Sequence, residues 1–361
     1  MSKTVGEIYG ISIKPYKPTS TDVTIFKKLK ISDQNYSKPW NIFMGLEIET
    51  ENVRFRDSEF MQLSGWRTTA DNSLRNNGIE WVSFPAETQL LGNLIDYFYD
   101  HIAPQVEFTP RTSIHVHCNL IPFNHKQVDN LIKMYLLLEK ALYNFAGKDR
   151  DKSIFCVPLC EGGLSFNPSI NLENDHAIVN ISERWNKYCG LNFTRLHDIG
   201  TAEFRHLPGE NDKEKLVRWI TILQSLVQRA YSMDQSALWA NIVNDPRRLM
   251  SMILSEEAIA YLEPFNLLDS ILNGISTIKA HSDKLTFKKE LDSFKKKVKK
   301  EAPNYEGMQF ASIPSGVLTQ QTTFEWRAAQ PQQTEEQRAR LNAAIAHLAE
   351  NQARRRTNNP R

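Results

Sequence analysis

The chain has 361 residues, of which 41% are hydrophobic and 24% are charged. These proportions are ordinary for globular proteins, and they exclude a disordered, collagen-like or disulfide-scaffold chain. Lys and Arg number 44 against 42 Asp and Glu, so the net charge of +2 argues against a dedicated nucleic-acid binder.

Four segments are predicted along the chain. They are an N-terminal extension (residues 1–38), a main folded domain (39–265), a Lys-rich helical region (266–310) and a Gln- and Arg-rich, partly disordered tail (311–361). The first residues lack the apolar core of a signal peptide, and no apolar run is long enough to span a membrane. We therefore expect a cytoplasmic protein whose four cysteines are reduced.

The main domain is predicted to consist of strands and helices separated by turn-rich loops. The predicted strands are Phe43–Glu51, Ile79–Phe84, Ser113–Leu120, Gly190–Arg195 and Thr201–Leu207. The predicted helices are Gln89–His101, Lys126–Ala146, Lys213–Ser232, Ser236–Asn244 and Ser255–Leu262. We interpret the Trp66–Arg67 pair as packing and turn structure, and the cysteines as buried, inert thiols.

Residues 285–300 form a predicted amphipathic helix beyond the main domain. Its apolar face consists of Phe287, Leu291, Phe294 and Val298. Lysines dominate the other face, which is typical of a solvated helix covering the core; a phosphate-backbone or membrane-surface patch is the alternative. A weak contact to nucleic acid or protein through this helix and the Arg-rich tail stays open, and we expect no membrane partner.

Four of the predicted strands carry unusual polar faces. In each strand one face is apolar, while the other bears carboxylate, imidazole or guanidinium groups. These polar side chains are Glu47, Glu49, Glu80, His115, His117, Glu203 and Arg205. If the strands share one sheet, these groups would line a single concave site.

The chemistry of these groups favours a cation together with an anion. Carboxylates with imidazoles, and no thiolate nearby except Cys118, suit Mg²⁺ or Mn²⁺ better than zinc. A neighbouring arginine suits a phosphate or a carboxylate. Each pair alone also fits an ordinary exposed strand, so only their coincidence favours a site.

Six short motifs occur in a fixed order: GLEIE, ADNSL, GIEWVSFP, SIHVHCN, GLNF and TAEFRHLPG. Together they resemble the carboxylate–amine ligases of the glutamine synthetase-like superfamily, and among these the amidoligases of phage and bacterial genomes. The resemblance covers about residues 41–232. It implies an α+β fold in which a curved, mostly antiparallel sheet forms a catalytic cup. Helices would cover the apolar face of the sheet, and a helical C-terminal region would follow.

The resemblance also implies roles for particular residues. The metal ligands would be Glu47, Glu49, Glu80, His115 and Glu203. The catalytic groups would be Asp71, as the base that activates the amine, with Glu203 and Arg205 at the transferred phosphoryl group. Contacts to nucleotide or substrate would come from His117, Ser73, Arg184, Asn192 and Arg195.

The implied activity is an ATP-dependent ligation of a carboxylate and an amine through an acyl phosphate, with ATP and Mg²⁺ or Mn²⁺ as cofactors. The substrates would be an amino acid, a peptide or a modified polymer, and a phage-encoded enzyme would act in the host cytoplasm. Two alternatives stay open: another metal-dependent phosphoryl-transfer or hydrolytic enzyme, and a catalytically inactive binding or assembly protein. The chain lacks the N-terminal domain with which glutamine synthetase completes its site, which leaves the oligomeric state and the amine site open.

Overall fold

The computed structural model describes residues 2–31, 42–54, 62–147, 149–161, 172, 174–235, 238 and 246–281. The predicted Lys-rich helix (285–300), the predicted tail (311–361) and most of the predicted helix Ser236–Asn244 lie outside these residues. Within them, no helix is both long enough and apolar enough to cross a bilayer. All of the described residues belong to one compact unit of the chain.

A six-stranded antiparallel sheet organises this part of the chain. In sheet order the strands are β2 (Trp66–Thr69), β3 (Ile79–Ser83), β1 (Met44–Thr50), β4 (Ser113–Asn119), β6 (Thr201–Pro208) and β5 (Leu191–Asn192). The sheet is open, with β2 and β5 at its edges. Together with the helices, it confirms the predicted α+β class with an antiparallel sheet.

Nine α-helices are seen among the described residues. They are α1 (Val5–Tyr9), α2 (Ser20–Lys28), α3 (Thr88–Tyr97), α4 (His125–Ala146), α5 (Asp175–Arg184), α6 (Lys213–Ser232), α7 (Pro246–Ile253), α8 (Glu256–Leu262) and α9 (Leu267–His281). A π-turn, Phe98–Ile102, extends α3, and a 3₁₀ turn, Arg150–Lys152, lies shortly after α4. Four of the predicted helices are thereby confirmed.

Helices α4 and α6 cover the apolar face of the sheet. Helix α4 contacts β6, and α6 contacts β4. Val116 and Phe204 of the sheet are fully buried, and Tyr135 of α4 lies against Phe204 with ring centres 6.3 Å apart. Because this face is filled by core packing, the chemistry-bearing side chains of the strands are left on the opposite face.

The N-terminal residues contribute to the same core. Val5 of α1 and Phe26 of α2 are buried, and the main-chain N–H of Val5 donates to the carbonyl of Phe123 at 2.8 Å. The carboxylate of Asp22 accepts a hydrogen bond from the main-chain N–H of Ser64 at 2.9 Å. These contacts tie residues 2–31 to the sheet, while the predicted boundary at residue 38 lies outside the described residues.

The pairing of β4 with β6 is irregular in the middle of the sheet. The register shifts between Ile114 and Val116 of β4, so β6 carries one extra residue across this step. Ordinary alternation after Phe204 places Arg205 on the polar face, while His206 is fully buried and contacts Tyr135 of α4 on the other side. The irregularity leaves the next residue, Leu207, buried on the same side as His206, so two consecutive residues of β6 lie in the core.

Two predictions about local structure are wrong. Trp66 and Arg67 begin strand β2 rather than a turn, because both pair with β3. The predicted packing of Trp66 is confirmed, because its side chain is buried. The predicted strand Gly190–Arg195 is reduced to two residues, because the side chain of Asn192 accepts a hydrogen bond from the main-chain N–H of Thr194 and the chain turns there.

Candidate functional site

The register of the strands brings six predicted residues into adjacent rows. The paired residues are Glu49–Glu80, Glu47–His115 and His117–Glu203. Directly paired residues of antiparallel strands lie on the same face of a sheet. The six side chains therefore form one group, which we call the carboxylate–histidine cluster.

One half of the cluster surrounds an imidazole nitrogen. His115 Nδ1 lies 3.4 Å from Glu47 Oε2 and 3.3 Å from Glu203 Oε1. The side chains of His115 and Glu203 are only 4% exposed. The ligand atoms of these three residues lie within 4.8 Å of one another, which is close enough to hold one metal ion.

The other half of the cluster shares the same histidine. Glu49, Glu80 and His115 also place their ligand atoms within 4.8 Å of one another. Glu49 accepts a hydrogen bond from the main-chain N–H of Ser113 at 2.8 Å, and Glu80 accepts one from the hydroxyl of Thr69. These donors fix the two carboxylates toward the shared imidazole.

His117 links the cluster to the next row of the sheet. Its Nδ1 lies 2.9 Å from the hydroxyl oxygen of Thr201, and its Nε2 lies 3.1 Å from Glu47 Oε1. The Nε2 atom is buried, and its contact with Glu47 lacks the alignment of a hydrogen bond. A buried nitrogen without an aligned partner, directed at a carboxylate, is a position where a ligand or a cation would improve the contacts.

Arg205 supplies the positive charge beside the cluster. Its guanidinium forms an ion pair with Glu203 through one Nη1 and donates from Nε to the carbonyl of Phe155 at 3.2 Å. Asn192 holds the second oxygen of Glu203 at 2.7 Å. A guanidinium has five donors, and among the described residues none accepts from Nη2 of Arg205. Arg205 is therefore oriented by two contacts and keeps donors for an anion.

Two of the carboxylates are held ionised by their neighbours. Burial would raise the pKa of Glu47, but its interactions with the imidazoles of His117 and His115 outweigh burial and lower it. Burial would likewise raise the pKa of Glu203, but the Arg205 guanidinium outweighs burial and lowers it. Both groups are thus ready-made anionic ligands at neutral pH.

In the other two carboxylates, neighbouring groups offset burial only in part. Burial raises the pKa of Glu49, and the negative charge of Asp71 raises it further. Burial also raises the pKa of Glu80, with a further contribution from the charge of Glu47. Carboxylates that repel one another in a buried site are relieved by a divalent cation, so the donor set fits one.

The loop before β3 brings one predicted catalytic residue near the cluster. Asp71 is half-buried, and its charge acts on Glu49. Its carboxylate accepts a hydrogen bond from the main-chain N–H of Ser73 at 2.6 Å. The side chain of Ser73 is exposed, and no contact with the cluster is seen among the described residues.

Two predicted arginines lie farther out. Arg195 is exposed and pairs with Asp198 at 2.7 Å, although its charge lowers the pKa of His117 against the stronger effect of Glu47. Arg184 is exposed at the end of α5, and it has no side-chain partner in the described part of the chain. The structure therefore places Arg195 near the cluster and does not bring Arg184 to it.

Several supporting residues are missing from the sequence prediction. They are Thr69, Ser113, Thr201 and Phe155. Thr201 follows the same alternation as Glu203, so the strand pattern could have identified it, whereas Ser113 supports the cluster only through its main-chain N–H. Thr69 lies on the strand that was interpreted as a turn. Phe155 contributes only a main-chain carbonyl, which leaves no signal in a sequence.

The cysteines contribute no reactive group to this site. Cys118, Cys156 and Cys189 are free and fully buried. Burial raises the pKa of the Cys118 thiol well above its ordinary value, and it also raises the pKa of Cys156. The thiols of Cys118 and Cys156 are therefore protonated at neutral pH, as predicted for inert core residues.

Comparison with known families matches this region of the chain. A family model described as "Putative amidoligase enzyme" matches residues 75–227, and no curated protein matches the chain. The matched range contains Glu80, His115, His117, Glu203 and Arg205 and begins after Glu47 and Glu49. The resemblance to amidoligases is confirmed over this range and is consistent with an enzyme of the ligase type; the wider superfamily stays a prediction.

Proposed function

We propose that the protein is an ATP-dependent carboxylate–amine ligase that forms an amide bond through an acyl phosphate. The observation that carries this proposal is the pair of overlapping ligand groups around His115, set beside the oriented guanidinium of Arg205. An acidic, imidazole-containing cation site next to an arginine is what phosphoryl transfer between anions requires. The amidoligase match over the same strands supports amide formation as the outcome.

The cluster has the donors for Mg²⁺ or Mn²⁺. Glu47, His115 and Glu203 would hold one ion, and Glu49, Glu80 and His115 provide a second set of ligands. Hard divalent cations prefer carboxylate oxygens, and Mn²⁺ also accepts imidazole. When bound, the cation would neutralise negative charge on the phosphate oxygens of the nucleotide.

Arg205 would stabilise the phosphoryl group as it moves to the substrate carboxylate. Glu203 and the Phe155 carbonyl orient its guanidinium, so little reorganisation is needed when the charge develops. In this step the substrate carboxylate oxygen bonds to the γ-phosphorus and ADP leaves. Asn192 would act indirectly, since it holds the Glu203 carboxylate in place.

Asp71 is the candidate base for the second step. The amine nitrogen attacks the acyl carbon, inorganic phosphate leaves, and Asp71 takes the proton that the amine loses. Its place in the loop beside Glu49 puts it at the edge of the cluster rather than within it. Contacts from His117, Ser73, Arg195 and Arg184 to nucleotide or substrate stay predictions.

Calorimetric titration of ATP, with and without Mg²⁺, tests the first half of the proposal. We expect Mg²⁺-dependent binding that weakens at least tenfold, about 1.4 kcal/mol, in a Glu47→Gln/Glu49→Gln variant. Glu107→Gln is a matched control, because Glu107 is exposed and pairs with Arg54 at 3.1 Å, away from the cluster. A folded wild-type protein that does not bind MgATP would overturn the proposal.

Product analysis tests the second half. Phosphate release from ATP should require both a carboxylate and an amine, and an amide should accumulate in equal amount. Phosphate release in water alone would favour the hydrolytic alternative, and MgATP binding without turnover on any carboxylate–amine pair would favour a binding protein. Screening amino acids, peptides and polymers as substrates would identify the class that this site takes.

A further inference from the structure

The extra residue in β6 leaves a set of carbonyl groups that one arginine binds. Nε of Arg150 donates to the carbonyl of His206 at 2.7 Å. Nη2 of Arg150 donates to the carbonyl of Arg205 at 2.8 Å and to that of Leu207 at 3.3 Å. One guanidinium therefore spans three consecutive main-chain carbonyls at the irregular step of the strand.

These carbonyls lie where the sheet gives them little support. Arg205 and His206 have no paired residue on β4, although Leu207 pairs with Ile114. On the other side β5 pairs with Glu203 and Phe204, and beyond them the main-chain N–H of Arg205 donates to the carbonyl of Gly190 at 2.9 Å. A main-chain carbonyl without a strand partner needs another donor when it is shielded from water. Arg150 provides charged donors of fixed geometry, so it holds the bulged backbone in one conformation.

The segment that carries Arg150 also holds the side chain of Arg205. Asp149 adopts a left-handed conformation, with φ of 69°, and begins the 3₁₀ turn Arg150–Lys152. A few residues later, the carbonyl of Phe155 accepts from Nε of Arg205 at 3.2 Å. The segment therefore forms hydrogen bonds with Arg205 at two places, its main-chain carbonyl and its guanidinium.

The opposite side of the bulge is fixed by the core. His206 is fully buried, and its Nε2 lies 2.9 Å from the hydroxyl of Tyr135. Its ring also lies against Tyr143 and Trp219, with ring centres 4.6 and 5.3 Å apart. With its core side fixed in this way, the bulge can shift mainly toward the polar face, and Arg150 prevents that shift.

We propose that Arg150 is a positioning residue for Arg205, and that it sets the affinity of the site for the transferred phosphoryl group without touching it. The proposal rests on the proposed function, since it assumes that Arg205 contacts a bound phosphate. Arg150 donates to three backbone oxygens and, more weakly, to the hydroxyl of Ser113 at 3.5 Å, and to no side chain of the cluster. The three carbonyls belong to Arg205 and the two residues after it, so we expect the influence of Arg150 on a phosphate to pass through Arg205.

A double-mutant cycle tests this indirect action. MgATP affinity is measured by calorimetry for wild type, Arg150→Ala, Arg205→Ala and the double variant. We expect each single variant to bind at least tenfold more weakly, and the double variant to bind no more weakly than Arg205→Ala. If the losses of MgATP affinity in the two single variants multiply in the double variant, the proposal is overturned, because Arg150 would then act without Arg205.

Chemical rescue provides a second readout that a purely structural role would not give. Guanidinium ion at low concentration should restore MgATP affinity to Arg150→Ala and not to the double variant. If Arg150→Ala fails to fold, the cycle is repeated with Arg150→Lys. Lysine keeps the positive charge but cannot donate to three carbonyls with the fixed geometry of a guanidinium. Rescue of both variants, or of neither, would contradict a role through Arg205.

Two controls separate this proposal from the proposed function. Lys152→Ala removes a neighbouring cation that pairs with Asp149 instead of the bulge, and it should leave MgATP affinity unchanged. Mn²⁺ binding without nucleotide should persist in Arg150→Ala, because Glu49, Glu80 and His115 lie on other strands. A wild type that binds no MgATP overturns both proposals, whereas MgATP binding with an additive cycle overturns only this one.

Discussion

Replacing Glu80 with glutamine should stabilise the cation-free protein and weaken its response to Mn²⁺. The ligand atoms of Glu49 and Glu80 lie within 4.8 Å of each other, so two full charges repel by about 3 kcal/mol at an effective dielectric constant of about 20. Glu80 is only half-buried, and screening by water reduces this to roughly 1–2 kcal/mol. Glutamine keeps the oxygen that accepts from Thr69 and removes the charge.

Thermal unfolding with EDTA or Mn²⁺ at pH 8 measures both effects. With EDTA, the Tm of Glu80→Gln should exceed that of wild type by about 2–8 °C, given roughly 2–4 °C per kcal/mol for a domain of this size. With the same excess of Mn²⁺, the Tm of wild type should rise more than that of the variant, because a cation bound to the folded state stabilises it by an amount that grows with the logarithm of its affinity.

The direction of the pH dependence follows from the raised pKa of Glu80. A carboxyl group whose pKa is raised by folding costs stability once it ionises, and this cost disappears as the pH falls and the group takes up a proton. The advantage of Glu80→Gln should therefore shrink between pH 8 and pH 5. Glu107→Gln is the control for loss of an exposed carboxylate. The reasoning would be refuted if Glu80→Gln had a lower Tm than wild type with EDTA and the same rise in Tm with Mn²⁺.

Two further predictions concern histidines on opposite faces of the sheet. Burial, with a smaller effect of the Arg150 charge, lowers the pKa of His206 to about 3, so stability should fall by about 1.4 kcal/mol per pH unit as the pH drops below 6.5. Urea unfolding should show that the free energy of unfolding falls less between pH 7 and pH 5 for His206→Phe than for wild type. An equal fall in both proteins would contradict this prediction. Thr201→Val removes the hydroxyl 2.9 Å from His117 Nδ1 and should weaken MgATP binding about tenfold by calorimetry. Thr24→Val, at an exposed position of α2, is its control. Equal MgATP affinities of the two variants would rule out an orienting role for Thr201.

The strands that carry the site are largely predictable from the sequence, because their two faces differ so strongly. Strands β3, β4 and β6 each differ from their predicted ranges by one residue at one end, and β1 differs by one residue at each end. Strong alternation fixes which side chains face together even without knowledge of the partner strands. Strand β2 was missed because its four residues, WRTT, contain too short an alternation to distinguish a strand from a turn.

The arrangement of the cluster depends on register, which the sequence does not contain. Alternation predicts that Glu49 and Glu80 lie on polar faces, but only the observed pairing makes them neighbours. The extra residue in β6 could not be predicted from the sequence either. His206 followed by Leu207 looks like two ordinary buried residues, and nothing in them indicates a shift of register. Arg150 donates hydrogen bonds to main-chain carbonyls of the irregular part of β6. Such contacts depend on the path of the backbone rather than on residue type, so the sequence does not predict them.

The charges on the polar face are divided along the sheet, and this division gives the site a direction. On the β6 side, Glu203 is compensated by Arg205, whose guanidinium keeps donors for an anion. On the β3 side, Glu80 accepts from a hydroxyl and Glu49 from a main-chain N–H, and the pKa of both stays raised by burial, so negative charge is less well compensated there. A cation is therefore most needed beside β3 and an anion is best received beside β6, with His115 between them. A nucleotide whose phosphates bridge these two positions would satisfy both at once, which is the physical reason for expecting cation and nucleotide to bind cooperatively.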